Sequence, residues 1–157
     1  GLTSTTRSTR IRSIVTGENL TDAPAGRGLI DTNIVVHLAA LDPDHLPNEL
    51  VISAVTLAEL SAGPHHTDDP AERARRLNVL QHAEATFDPL PFDAEAARAY
   101  GMICAAVLGT GRKPRRRLAD LMIASVATVN GLPLYTTNPD DFVGLADLVD
   151  VRSVPRP

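Results

Sequence analysis

Aromatic residues are scarce in this sequence: three phenylalanines, two tyrosines and no tryptophan among 157 residues. So few rings leave no evident platform for stacking successive bases, the device that single-strand binders use. Any nucleic-acid recognition would therefore rest on shape and backbone. Cysteine is as rare. The single Cys104 excludes an internal disulfide, fits a reducing compartment, and in an alanine-rich helical stretch reads as a small buried hydrophobe. No apolar run approaches the roughly 18 residues of a membrane span, and no N-terminal stretch has the layout of a secretory signal. A cytoplasmic protein without membrane contact is expected. Positive charge is not in excess either, since 15 basic against 19 acidic residues give a net −4.

What is present is an ordinary core-forming composition, 43% hydrophobic, in a length that suits one domain. Charge is unevenly spread. Residues 1 to 27 carry four arginines against two acids, lack a sustained apolar period, and are rich in Ser, Thr and Gly. They read as a peripheral arm or added extension, +2 in charge, leaving −6 for residues 28 to 157. A second basic cluster, Arg112, Lys113, Arg115, Arg116 and Arg117, falls within six positions and includes the only lysine.

From Gly28 the pattern alternates. Strands are expected over Gly28 to Asp31, Leu50 to Ser53, Asp88 to Phe92, Leu132 to Thr136 and Asp150 to Val154. Between them lie helical stretches: one from Asp31 through about Ala40, TLAELSAG stopped by Gly63-Pro64, and PAERARRLNVLQHAEATF with Ala74, Leu77 and Leu80 facing inward. AEAARAYGMICAAVLG follows, and then RLADLMIASVATVNG, with Leu118, Leu121, Met122, Ser125 and Val129 at helical spacing and a stop at Asn130-Gly131. Strands alternating with helices imply an α/β fold, a parallel sheet covered on both faces, with ligands gathering at the carboxyl ends of the strands.

Asp31 lies at such an end. Glu59 follows the second strand by about a helical turn, Asp120 opens the long helix before the fourth strand, and Asp141 lies just past that strand. Four carboxylates at one sheet edge would repel one another unless a cation sat among them. An all-oxygen set without cysteine or clustered histidine suits Mg²⁺ or Mn²⁺ and not zinc. Each acid also has an ordinary reading. Asp31 fits a helix N-cap. Glu59 fits a capping box with Thr56, unless Ser53 is the cap, which would leave Glu59 free to face the site. Asp120 suits a helix N-terminus, and Asp141 suits the turn in Asn138-Pro139-Asp140-Asp141. His65 and His66 read as surface residues, and His37 as a packing residue near the site edge.

Four stretches in order, LIDTNIVV, SAVTLAEL, LADLMIASVA and LYTTNPDDF, resemble the PIN domain, specifically the VapC-like toxins of bacterial toxin–antitoxin pairs. The resemblance covers residues 28 to about 154. It implies an α/β/α sandwich around a parallel sheet, a Mg²⁺-dependent endoribonuclease activity, a cognate antitoxin that neutralises it, and a homodimer. Carried over by position, Asp31, Glu59, Asp120 and Asp141 are the catalytic, metal-holding acids. Thr32, Asn33, Thr137 and Asn138 are neighbours that orient carboxylates or water. The run of Arg112, Lys113, Arg115, Arg116 and Arg117 would grip RNA phosphates, which gives affinity without sequence choice. A non-catalytic nucleic-acid-binding subunit of a regulatory complex is the competing reading, and the four-acid set argues against it.

Overall fold

The computed structural model of the chain describes residues 26–157. The arm expected over residues 1 to 27 falls almost wholly outside them, although Arg27 opens the first strand and pairs with Glu49 on the next at 3.6 Å. Four short strands, β1 (Arg27–Ile30), β2 (Glu49–Val51), β3 (Leu134–Thr136) and β4 (Val151–Ser153), form one parallel sheet in the order β2-β1-β3-β4. The helices are α1 (Thr32–Val36), α2 (Ala54–Ala62), α3 (Pro70–Thr86), α4 (Ala94–Gly109) and α5 (Leu118–Val129), with short 3₁₀ turns between several of them.

Alternation along the strands sorts the core into two layers. Leu29, Val51 and Leu134 pack on one face against Ile103 and Val107 of α4 and Leu121, Ala124 and Val126 of α5. Ile30, Ile52, Tyr135 and Val154 pack on the other against Ile34 and Val35 of α1, Leu60 of α2 and Ala83 of α3. The result is the expected three-layer α/β/α arrangement. Close approach is required at Gly28, where a Cβ would stand 2.5 Å from the Tyr135 ring. Gly131 takes φ +63° just past α5, where the Leu132 N–H reaches back to the Ala127 carbonyl in a helix-ending turn.

Four expectations change. The strand expected over Asp88 to Phe92 is a single bridge from Leu90 to Ser53. Leu90 bonds Ile52 and Ala54 through its own N–H and C=O, but Pro89 and Pro91 have no N–H with which to extend the ladder. The helix after Asp31 closes at Val36, with a separate 3₁₀ turn over Leu38–Ala40. On α3 the inward residues are Val79, Leu80 and Ala83, while Ala74 and Leu77 are exposed. Arg76 shares the inward side and donates to the Gly63 carbonyl at 2.8 Å. Leu118, expected on the inner face of α5, is 50% exposed. Cys104, for its part, is half-buried beside the Tyr100 hydroxyl.

Candidate active site

The candidate site forms where β1 and β3, adjacent and parallel, both end. The connection from β1 runs towards β2 on one side, while β3 is reached from α5 and pairs with β4 on the other, so a crevice opens between them. Asp31 is the first residue beyond β1. Its amide donates to the Tyr135 carbonyl at 2.9 Å, which continues the sheet by one step, and the side chain is 3% exposed. Asp31 Oδ1 accepts the Thr32 N–H at 2.8 Å, making it the N-cap of α1, and Oδ2 accepts the Thr136 hydroxyl at 2.9 Å. Helix cap and site acid are thus one residue. Burial pushes the Asp31 carboxyl above the usual range, the bonds from Thr136 and Thr32 pull it down, and the charges of Glu59 and Asp141 push it up again.

Ser53, not Thr56, caps α2, accepting the Val55 N–H at 2.9 Å. Glu59 therefore lies a turn deeper and faces α1, where its Oε1 stands 2.6 Å from the Thr32 hydroxyl. The buried Thr56 hydroxyl lies 3.0 Å from the same group; with the single Thr32 proton donated to Glu59, Thr56 donates in turn to the Thr32 oxygen. Asp120 sits in the first turn of α5. Burial, then the charges of Asp31, Asp141 and Glu59, push its pKa up to about 7, with Arg117 pulling against them. Asp141 lies in the 3₁₀ turn Pro139–Phe142, with Arg117 Nη1 3.7 Å from its Oδ1. Four acids from four separate stretches of chain are therefore close enough to feel one another's charge.

The residues expected to support them divide. Thr32 holds Glu59 as described. Neither Asn33 nor Thr137 bonds a carboxylate among the described residues; both line a small depression with His37, which is exposed and not packed in the core. Asn138 accepts from Arg156 through its side-chain oxygen and donates its N–H to the Thr136 hydroxyl oxygen. Sequence reasoning missed Thr136, the buried hydroxyl on Asp31, and Thr56 as a partner of Thr32. In the basic run, Arg112 and Arg117 both donate to the Asp140 carbonyl, at 2.5 and 2.9 Å, and so fasten the turn that carries Asp141. Lys113, Arg115 and Arg116 remain exposed, and a depression of about 360 Å³ beside them is lined by Gly111, Arg112, Lys113, Arg116 and Arg117.

Among the described residues no three His, Cys, Asp or Glu side chains already form a metal cage. The donor set still suits a hard divalent cation. Mg²⁺ is commonly held by one or two carboxylates with water and substrate phosphates completing its shell. Burial and, after it, the repulsion of its neighbours raise the Asp120 pKa to about 7, and the repulsive part is what such a cation relieves.

A model of the PIN domain matches residues 28–148. Ribonuclease VapC5 of Mycobacterium tuberculosis is 33% identical over 130 residues, which cover 81% of this chain and 93% of that protein. The tRNA(fMet)-specific endonuclease VapC of Shigella flexneri is 31% identical over 121 residues, covering 73% of this chain and 88% of its own length. The solved structure of VapBC-5 from Mycobacterium tuberculosis, a toxin–antitoxin system, superposes with a TM-score of 0.70 at 33% identity over 83% of this chain and 98% of that one. The four motif stretches, the parallel sheet order and these likenesses agree: the chain belongs to the PIN-domain family, among its VapC-like members.

Proposed function

We propose that the chain is a Mg²⁺- or Mn²⁺-dependent endoribonuclease toxin, cytoplasmic and neutralised by a cognate antitoxin. The observation that supports this reading is the meeting of Asp31, Glu59, Asp120 and Asp141 at the carboxyl ends of β1 and β3. A module that only bound nucleic acid would gain nothing from setting four acids against phosphates. Asp31 and Asp120 are the residues that would hold the cation directly, with Glu59 and Asp141 completing the set. When bound, the cation would lower the pKa of water and offset the charge that develops on the phosphodiester.

The chain's own groups do the rest. Thr136 and the Thr32 amide fix Asp31 so that both its oxygens are aimed before substrate arrives. Thr32 and Thr56 fix Glu59. Arg117 lowers the cost of ionising Asp120 and stands beside Asp141. Lys113, Arg115 and Arg116 are free to contact flanking phosphates without reading bases. The VapBC relatives are toxin–antitoxin assemblies, which supports an antitoxin partner here. A homodimer would cover the exposed Met102 and Leu108 of α4.

The test is RNA cleavage by the purified chain. Activity is expected with Mg²⁺ or Mn²⁺, lost in EDTA and regained on adding the ion back. Cleavage that persists undiminished in EDTA would end this reading. Sequencing RNA ends after induction, wild type against Asp31→Asn, then identifies the substrate.

A further inference from the structure

The rim of the site holds a cation that the carboxylates do not use. Arg156 follows β4, and its Nη2 donates to Asn138 Oδ1 at 2.5 Å. Among the described residues Arg27, Arg75, Arg76, Arg117 and Arg152 each pair with an acid. Arg156 pairs instead with a neutral amide, which orients the guanidinium without cancelling its charge. It borders a depression of about 220 Å³ whose other lining residues are Asn33, His37, Thr137 and Pro157. No Asp or Glu side chain lines that depression. The groove reached from the other side of α1 differs, with Glu59 and Glu72 in its wall.

The depression is wired to the acids. The Asn138 N–H donates to the Thr136 hydroxyl oxygen, and that hydroxyl donates to Asp31. Arg156 therefore grips the start of the turn whose middle, the Asp140 carbonyl, is gripped by Arg112 and Arg117. A phosphate backbone passing four acids is held only where positive charge stands beside them. The basic loop before α5 and Arg156, which grip the same turn two residues apart, supply that charge.

We propose that Arg156, with Asn33 and Thr137, binds a backbone phosphate of the RNA beside the one held among the carboxylates, and so acts as a substrate-positioning residue. This deepens the endoribonuclease reading and rests on it. An acidic peptide offers similar charge, and a polyglutamate probe is therefore the competing ligand in the test.

The experiment uses the full chain and a labelled single-stranded RNA of mixed sequence. Cleavage in Mg²⁺ is compared for wild type, Arg156→Ala and Arg156→Lys, and RNA affinity is measured against salt in an Asp31→Asn background. Arg156→Ala should raise KM about three- to tenfold with kcat within about twofold, and reduce the slope of log affinity against log salt by about 0.7 to 1, one phosphate's share. Arg156→Lys should restore the slope. An unchanged KM and slope would overturn the proposal, as would a fall in kcat alone, which marks a structural part. So would weaker binding of a polyglutamate probe with RNA affinity unaffected. Wild-type cleavage in the same assay reports on the nuclease reading separately; a wild type that neither cuts nor binds RNA overturns both.

Discussion

Asp31 and Asp120 interact across the site from halves of the molecule that are built differently. On the Asp31 side, position comes from the core. The acid continues β1, caps α1, takes a buried hydroxyl from Thr136 and is 3% exposed, while Glu59 next to it is held by threonines on two helices. On the Asp120 side, α5 and the buried Phe142 supply the anchor, and charge does more of the remaining work. Asp141 rides on a 3₁₀ turn fastened through one carbonyl by two arginines, and Asp120 depends on Arg117 to offset its neighbours. The first half resists change because moving it disturbs the sheet; in the second, partly exposed arginine side chains add to the hold of the buried Phe142 on the turn that carries Asp141.

The difference can be broken from either side. Asp31→Asn should be the most damaging change, lowering RNA cleavage by on the order of 10³ or more, whereas Asp141→Asn should cost about 10- to 100-fold. Equal losses in a single-turnover assay would erase the distinction. Thr136→Val keeps the shape of a buried residue but strips the Asp31 carboxylate of its hydroxyl donor and the Asn138 N–H of its acceptor. Activity should fall about 10- to 100-fold, as for lost partners of metal-holding groups, and denaturant melts should show about 1–2 kcal/mol of lost stability.

Arg117→Ala should lower activity more modestly, about tenfold, and its signature is a displaced pH profile. Without that positive charge Asp120 holds its proton to higher pH, so the acidic limb of kcat/KM should move upward. Arg112→Ala, which frees only the shared carbonyl, should leave that limb in place. The smallest effect is on stability without metal. The folded chain binds a proton at Asp120 more tightly than the unfolded chain, from 3.8 up to about 7, so stability falls as pH rises through that window and the cost is complete above it. Asp120→Asn should therefore raise the Tm at pH 8 in EDTA by on the order of a few degrees, and leave it unchanged below pH 4.

Much of this was legible residue by residue. Asp31 at a strand end, the Ser53 alternative that frees Glu59, and the Gly131 stop after α5 all follow from capping and strand chemistry that sequence exposes directly. What was not legible depends on register. Leu29 pairs with Leu134 and Ile30 with Tyr135, so one step further Asp31 comes opposite Thr136 and not Thr137. Nothing in Leu-Tyr-Thr-Thr distinguishes the two threonines until that pairing is known. The inner face of α3 was hidden for a different reason. With few apolar residues among many arginines, a helical period has more than one solution, and Arg76 occupies a place that hydrophobicity alone gave to Ala74 or Leu77.

One consequence of α1 reaches beyond the acids. At five residues it is too short to persist without its cap and its packing, and the cap is Asp31 Oδ1. The same helix and its end carry Asn33 and His37 to the rim on which Arg156 sits. Whatever occupies the carboxylates and competes for that oxygen must therefore alter the hold on the rim. By thermodynamic reciprocity, whatever steadies the rim must alter the grip on the carboxylate's occupant by the same factor.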